Sequence, residues 1–188
     1  MEGPEDLADA VRRLEARVQS LEALYGLVDL LALPGLLAGG AARIFDSTQA
    51  ADTIPAQAAG FYGKEVDGRG VPIRWTRFPE PGVLDIAVLE GIPFLLRLRV
   101  LNQPHIQRSE DLDVRMADGR SLQFSDPESP EHGILAFETS INPERTGVLR
   151  LLLSSTSRLQ AGAGDTRTLG LPFVELRSSP RLQITPAG

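Results

Sequence analysis

The sequence predicts a mainly β protein: an antiparallel β-sandwich, jelly-roll-like, preceded by an N-terminal α-helical coiled-coil segment. Two observations carry this. Apolar residues follow a helical period before residue 46, then alternate or form short runs after residue 60. Pro and Gly turns separate those runs, and no helical pattern returns among them. The stretch between, 46–60, is small and polar and reads as a linker. The expected organisation is therefore 1–45 oligomerising helix, 46–60 linker and 61–188 sandwich.

In the N-terminal segment Leu7, Leu14, Leu21 and Val28 recur every seven residues, with Val11, Val18 and Tyr25 between them. That is an a/d seam, and it predicts a homo-oligomer through Leu7, Val11, Leu14, Val18 and Leu21. Arg17 and Glu22 fall at the g and following e positions of an interchain ion pair. Pro4 and Pro34-Gly35 fit helix start and stop signals. Leu24, Leu27, Leu30, Leu31 and Leu33 widen the apolar stripe, so three or more chains, or packing on another surface, would be needed to cover it. An amphipathic helix folded against its own domain is the alternative.

Downstream, strands are expected at 73–78, 83–89 and 94–101, where residues such as Leu96, Leu98 and Val100 alternate with Arg97, Arg99 and Leu101. Residues 112–116 and 121–124 read as a hairpin across Asp118-Gly119, with a primed turn. Strands at 134–141, 148–155, 173–177 and 182–184 complete the list.

Composition excludes several classes. The 188 residues carry a net charge of −6, and Lys64 is the only lysine. A mildly acidic chain argues against nucleic acid as a partner. With no cysteine and only His105 and His132, no zinc site is expected. No acidic run has EF-hand spacing; loop carboxylates leave calcium as the one alternative. No metal and no cofactor is expected. There is no nucleophile elbow and no phosphate loop, so the chain is expected not to be an enzyme. The first residues are acidic rather than basic, so no signal peptide is expected, and with it a cytoplasmic location or a particle assembled there. The longest apolar stretch is broken by Asp29 and Pro34, so no membrane span is expected.

Two polar motifs frame the β-rich region. One is Tyr62-Gly63-x-Glu65-x-x-Gly68-Arg69 closing with Arg74-Trp75; the other is Asp165-x-Arg167-x-Leu169-Gly170. Carboxylate and guanidinium pair well in bidentate geometry. Glu65 with Arg167, or Asp165 with Arg69, would then clamp the first strand region to the last. In the alternative reading Tyr62, Glu65, Arg69, Trp75, Asp165 and Arg167 bind a ligand. Trp75 or Tyr62 would stack on a sugar face while the charged groups bond its hydroxyls.

These motifs resemble those of β-sandwich modules attached to bacterial glycosyltransferases and other proteins of surface-polysaccharide assembly. The resemblance covers residues 60–178, with an apparent short insertion at 68–73. It implies non-catalytic recognition of, or association with, bacterial surface polysaccharide, by a multimer if the helix oligomerises. Two other readings fit the same plan: a spike, fibre or adaptor subunit of a phage-like particle, and an accessory domain of a glycosyltransferase system.

Overall fold

The computed structural model describes residues 46–127, 130–162 and 164–181. The chain divides into two units, Met1–Ile44 and Phe45–Gly188, and the described residues belong to the second. They form two antiparallel sheets in a jelly-roll-like sandwich. The larger joins β1 (Ser47–Ala50), β2 (Glu65–Val66), β3 (Pro72–Arg77), β5 (Phe94–Leu101), β7 (Ile134–Ile141), β9 (Leu159–Gln160) and β10 (Thr168–Pro180). The smaller runs β4 (Gly82–Val88), β8 (Gly147–Ser155), β6 (Leu112–Met116).

The alternating apolar residues explain the inner faces. Leu96 and Leu98 on β5, Phe137 on β7 and Leu176 on β10 are fully or almost fully buried, as are Leu84 and Ile86 on β4 and Leu151 and Leu153 on β8. Each such side chain contributes roughly 1.5–3 kcal/mol of transfer free energy. Along β5 the intervening Arg97 and Arg99 point to the opposite, outer face. That outer face also carries a second apolar cluster, in which Ile73, Trp75, Leu101, Ile134, Leu169 and Val174 are packed against by Tyr62, Val71 and Leu159.

β10 is the spine of the large sheet. Its first half pairs with β3 and β9, its second half with β1 and β5. Pro172 lies inside it, where a proline removes a ladder donor; the register against β3 shifts between Leu169 and Pro172, the irregularity that accommodates it. Side chains serve the main chain there. Thr76 Oγ1 accepts from Leu171 N at 2.7 Å, and Gly170 O accepts from His105 Nε2 at 3.1 Å. Gly170 permits this close approach, because a Cβ would stand 2.5 Å from Thr76 Oγ1 and force the hydroxyl to move.

Several expectations are corrected. The described residues contain no helix of seven residues or more; their helical segment is the three-residue 3-10 turn Ser109–Asp111. Among the described residues the fold class is therefore two antiparallel sheets, with no coiled coil. The seam residues Leu7, Val11, Leu14, Val18 and Leu21 lie outside the described residues, so the expected homo-oligomer has no support. Part of the 46–60 linker is structural: Ser47–Ala50 forms β1, and Ala51 and Ile54 are buried. Arg74 fixes that segment, donating from its guanidinium to the carbonyls of Ala51, Ile54, Pro55 and Ala56.

The Asp118-Gly119 turn is not primed. Gly119 is left-handed, but Asp118 is not among the positive-φ residues. Gly119 N bonds Met116 O, and Met116 N bonds Arg120 O, as in a type I turn closed by a glycine bulge. The returning arm 121–124 keeps only a bridge at Ser121 and the Leu122 N to Val114 O bond against β6. It then crosses to the large sheet, where Gln123 O accepts from Thr139 Oγ1 and Ser125 N donates to Glu138 O. The strand expected at 182–184 lies outside the described residues.

Candidate functional site

The first motif is built along β3. Phe61 is buried against Phe173, with ring centroids 5.5 Å apart, and bridges Thr76. Tyr62 N donates to Trp75 O at 2.9 Å, which sets the Tyr62 ring, half-buried, over the outer cluster. β2 and β3 form a hairpin whose turn is held by Asp67. Its Oδ1 accepts from Val71 N at 2.8 Å and from Arg69 N at 2.9 Å. The Val71 amide chiefly, with the amide and charge of Arg69, holds the Asp67 carboxyl below its usual value. The expected insertion is this turn.

The second motif approaches from the loop between β9 and β10. Asp165 Oδ1 accepts from Arg167 N at 2.9 Å, and Asp165 Oδ2 accepts from Arg167 Nε at 2.9 Å and Nη2 at 2.6 Å. Arg167 Nη1 donates to Glu65 Oε1. The guanidinium thus spans both motifs, and its Cζ lies 5.3 Å from the Tyr62 ring centroid. Tyr62 Oη makes a long contact of 3.4 Å to Thr168 O. Hydrogen bonds to Asp165 first, then to Glu65, push the Arg167 pKa up, and the same bonds from Arg167 hold Asp165 below the usual carboxylate range.

Of the two clamp pairings the sequence offered, the structure makes Glu65–Arg167. Asp165 does not meet Arg69. It is taken by Arg167 two residues away, while Arg69 Nη1 donates to His132 O at 2.8 Å. Gly133 is what admits Arg69 there: it has φ +75°, and a Cβ would lie 1.4 Å from Nη1.

Four of the six candidate residues therefore come together: Tyr62, Glu65, Asp165 and Arg167. Arg69 reaches elsewhere, to the loop before β7. Trp75 is corrected as a stacking platform. It is 6% exposed and belongs to the outer apolar cluster, stacked on His105 at 6.3 Å and 16°. Both faces of β3 are covered, which leaves four consecutive buried residues, Ile73, Arg74, Trp75 and Thr76. Sequence reasoning missed Arg77. Its Cζ sits 5.5 Å from the Tyr62 centroid and its Nε donates to Phe61 O. The signal was there: Arg77 follows Ile73 and Trp75 at period two, on the Tyr62 side of the strand.

The cluster offers one half-buried aromatic ring, two guanidiniums and two carboxylates that are each about a third exposed. Such a set can bond hydroxyls as donor and acceptor. Arg167 holds Asp165 below the usual carboxylate range, the opposite of the raised pKa that a general acid in glycoside hydrolysis needs. Among the described residues no group of three or more His, Asp or Glu is placed to hold a metal ion, and no helix is long and apolar enough to cross a membrane.

No family model and no curated protein matches the chain. Solved structures do. An exo-β-1,3-galactanase from Phanerochaete chrysosporium, crystallised with galactose, is 13% identical, with 71% of this chain covered at TM-score 0.43; the chain spans 29% of that enzyme. The C-terminal carbohydrate-binding module (CBM6) of a laminarinase, LamC, from Zobellia galactanivorans is 13% identical over 71% of this chain and 98% of its own, TM-score 0.44. The CBM35 of Abf62 from Cellvibrio japonicus is 14% identical over 71% and 91%, TM-score 0.42. These are distant likenesses of chain trace between β-sandwiches, and no residue role is carried over from them.

Proposed function

We propose that the described domain is a non-catalytic recognition module for polysaccharide, bacterial surface polysaccharide being the class that the two framing motifs suggest. The observation that carries this reading is the Arg167 nexus. One guanidinium draws Glu65, Asp165 and the Tyr62 ring into a single polar patch at the surface. A fixed patch loses little side-chain entropy on binding, and its planar groups suit the donor and acceptor pattern of sugar hydroxyls. Tyr62, Glu65, Asp165 and Arg167 are the residues assigned to the ligand. Arg77 joins them through the Tyr62 ring, whereas Trp75 supports them from below.

The test is a glycan array probed with the full chain, followed by titration of any glycan bound. Arg167→Ala removes the nexus and Tyr62→Ala its aromatic member. Each is expected to weaken binding about tenfold or more, the loss of one or two charge-assisted hydrogen bonds or of a ring contact. A wild-type chain that binds no glycan on the array removes the reading.

A further inference from the structure

We propose that the outer face of the large sheet, over β10, β5 and β7, is a second binding site whose ligand is an uncharged, hydroxyl-rich glycan chain lying across the strands. The inference rests on the reading of the domain as a glycan-recognition module and adds a separate surface to it.

The site is a concavity of ≈ 850 Å³. Register places its side chains side by side. Arg97 stands opposite Glu138 on one flank and Arg177 on the other; Arg99 stands opposite Ala136 and Glu175. Ala136 makes the low point of a floor three strands wide, about 10 Å across. The arm that crosses from the small sheet forms one wall. There Ser125 is bonded to Glu138 O, and Asp126 is fixed by Ser109 N and Oγ, both at 2.7 Å. Asp46 bonded to Arg177 closes the opposite side.

Two features identify the ligand class. The first is unspent hydrogen bonding. Arg150 on the small sheet and Arg115 are each held by a bidentate carboxylate, Asp85 and Asp113, as Arg177 is by Asp46 at the rim of the concavity. Arg97 and Arg99 lie 3.5 and 3.6 Å from Glu138 and Glu175, beyond hydrogen-bond geometry, and donate no hydrogen bond among the described residues. Their N–H groups and the facing carboxylate oxygens are free to bond a ligand. The second is charge. Three guanidiniums, of Arg97, Arg99 and Arg177, meet four carboxylates lining the concavity, of Asp126, Glu131, Glu138 and Glu175, and a fifth, Asp46, at its rim. An anionic polymer would be repelled as much as held. A neutral polyol needs donors and acceptors in alternation, which is what the floor presents.

The experiment titrates the full chain with uncharged linear hexasaccharides (cello-, laminari-, manno- and xylohexaose) and with polygalacturonate as the charged probe. At least one uncharged hexasaccharide is expected to bind. Ala136→Trp, which fills the floor, and Arg99→Ala are each expected to weaken that binding about tenfold or more, while Arg167→Ala leaves this component unchanged. Arg99→Gln replaces Arg99→Ala if the latter fails to fold by melting curve. Binding that survives Ala136→Trp and both Arg99 variants but is lost in Tyr62→Ala and Arg167→Ala overturns the second site and leaves the proposed function standing. Preference for polygalacturonate overturns the ligand class. No binding by any of these probes overturns the second site, while the proposed function stands or falls on the glycan array.

Discussion

Arg74 is 4% exposed, and among the described residues no carboxylate meets it. Its charge is met instead by main-chain dipoles. Nε donates to Ala51 O at 2.8 Å, Nη2 to Ile54 O at 3.0 Å, and Nη1 to Pro55 O at 2.9 Å and Ala56 O at 3.3 Å. Among the described residues no strand amide reaches those carbonyls, although Ala51 N bonds Val174 O on β10 and Ala58 N also meets Pro55 O, so the guanidinium stands in for a ladder. Arg74→Met keeps most of the volume and removes every donor. It is expected to destabilise the domain by about 3 kcal/mol, read as a fall in urea midpoint at unchanged slope. A loss below about 1 kcal/mol would mean that water serves those carbonyls equally well. Arg167 differs, being a third exposed, with its partners equally so. Its removal is expected to lower the melting temperature by only a few degrees, alongside the larger loss of glycan binding. No change in melting would mean that the nexus is a ligand patch without a structural share.

Among the elements, the irregular centre of β10 is the place where one atom decides packing. Gly170→Ala sets a Cβ against Thr76 Oγ1 and is expected to cost about 1–3 kcal/mol in urea unfolding. Adding Thr76→Ala removes the clash but also the Leu171 N acceptor, so the double variant should recover only part of the loss. Full recovery would show that the threonine hydroxyl contributes no net stability. Elements of this kind are where the sequence is least legible. β5 and β6 were readable to the residue because apolar and polar positions alternate along them, and β7 because its apolar and β-branched run lies between turn residues. β1 and β9 were not: Ser47-Thr48-Gln49-Ala50 and Leu159-Gln160 hold too few apolar residues to show a period, and they are strands only because β10 offers them an edge. The candidate site was legible to a similar degree. Opposite charge made Glu65–Arg167 a reasonable pairing, but nothing in the chain says that Asp165 would be claimed by its near neighbour. Trp75 could not be oriented because both faces of its strand are covered.

For the whole domain, several carboxylates share one electrostatic design. Asp67, Asp126 and Asp165 are each held below the usual value, chiefly by the Val71 amide, the Ser109 amide and the Arg167 side chain respectively. A carboxyl lowered on folding contributes stability that is complete above its unfolded pKa, near 3.9, and is lost as pH falls through the folded value. The melting temperature is therefore expected to be level between about pH 7 and pH 5 and to drop below about pH 4. Calorimetric scans across that range check it. A melting temperature that rises on acidification would reverse the sign of the assignment.

The place of β10 in the large sheet also orders assembly in time. A ribosome delivers it after every strand it joins, and Ser47 meets Ser178 only across a separation of 131 residues. The small sheet and the β5–β7 pair draw only on earlier chain and can assemble first. β1, β3 and half of β5's edges must wait for it, with backbone donors and acceptors open to any other strand nearby. Closure of such distant pairs is entropically slow. During synthesis, then, the hazard to this domain is aggregation through strand edges that have no partner until nearly all of it has been made.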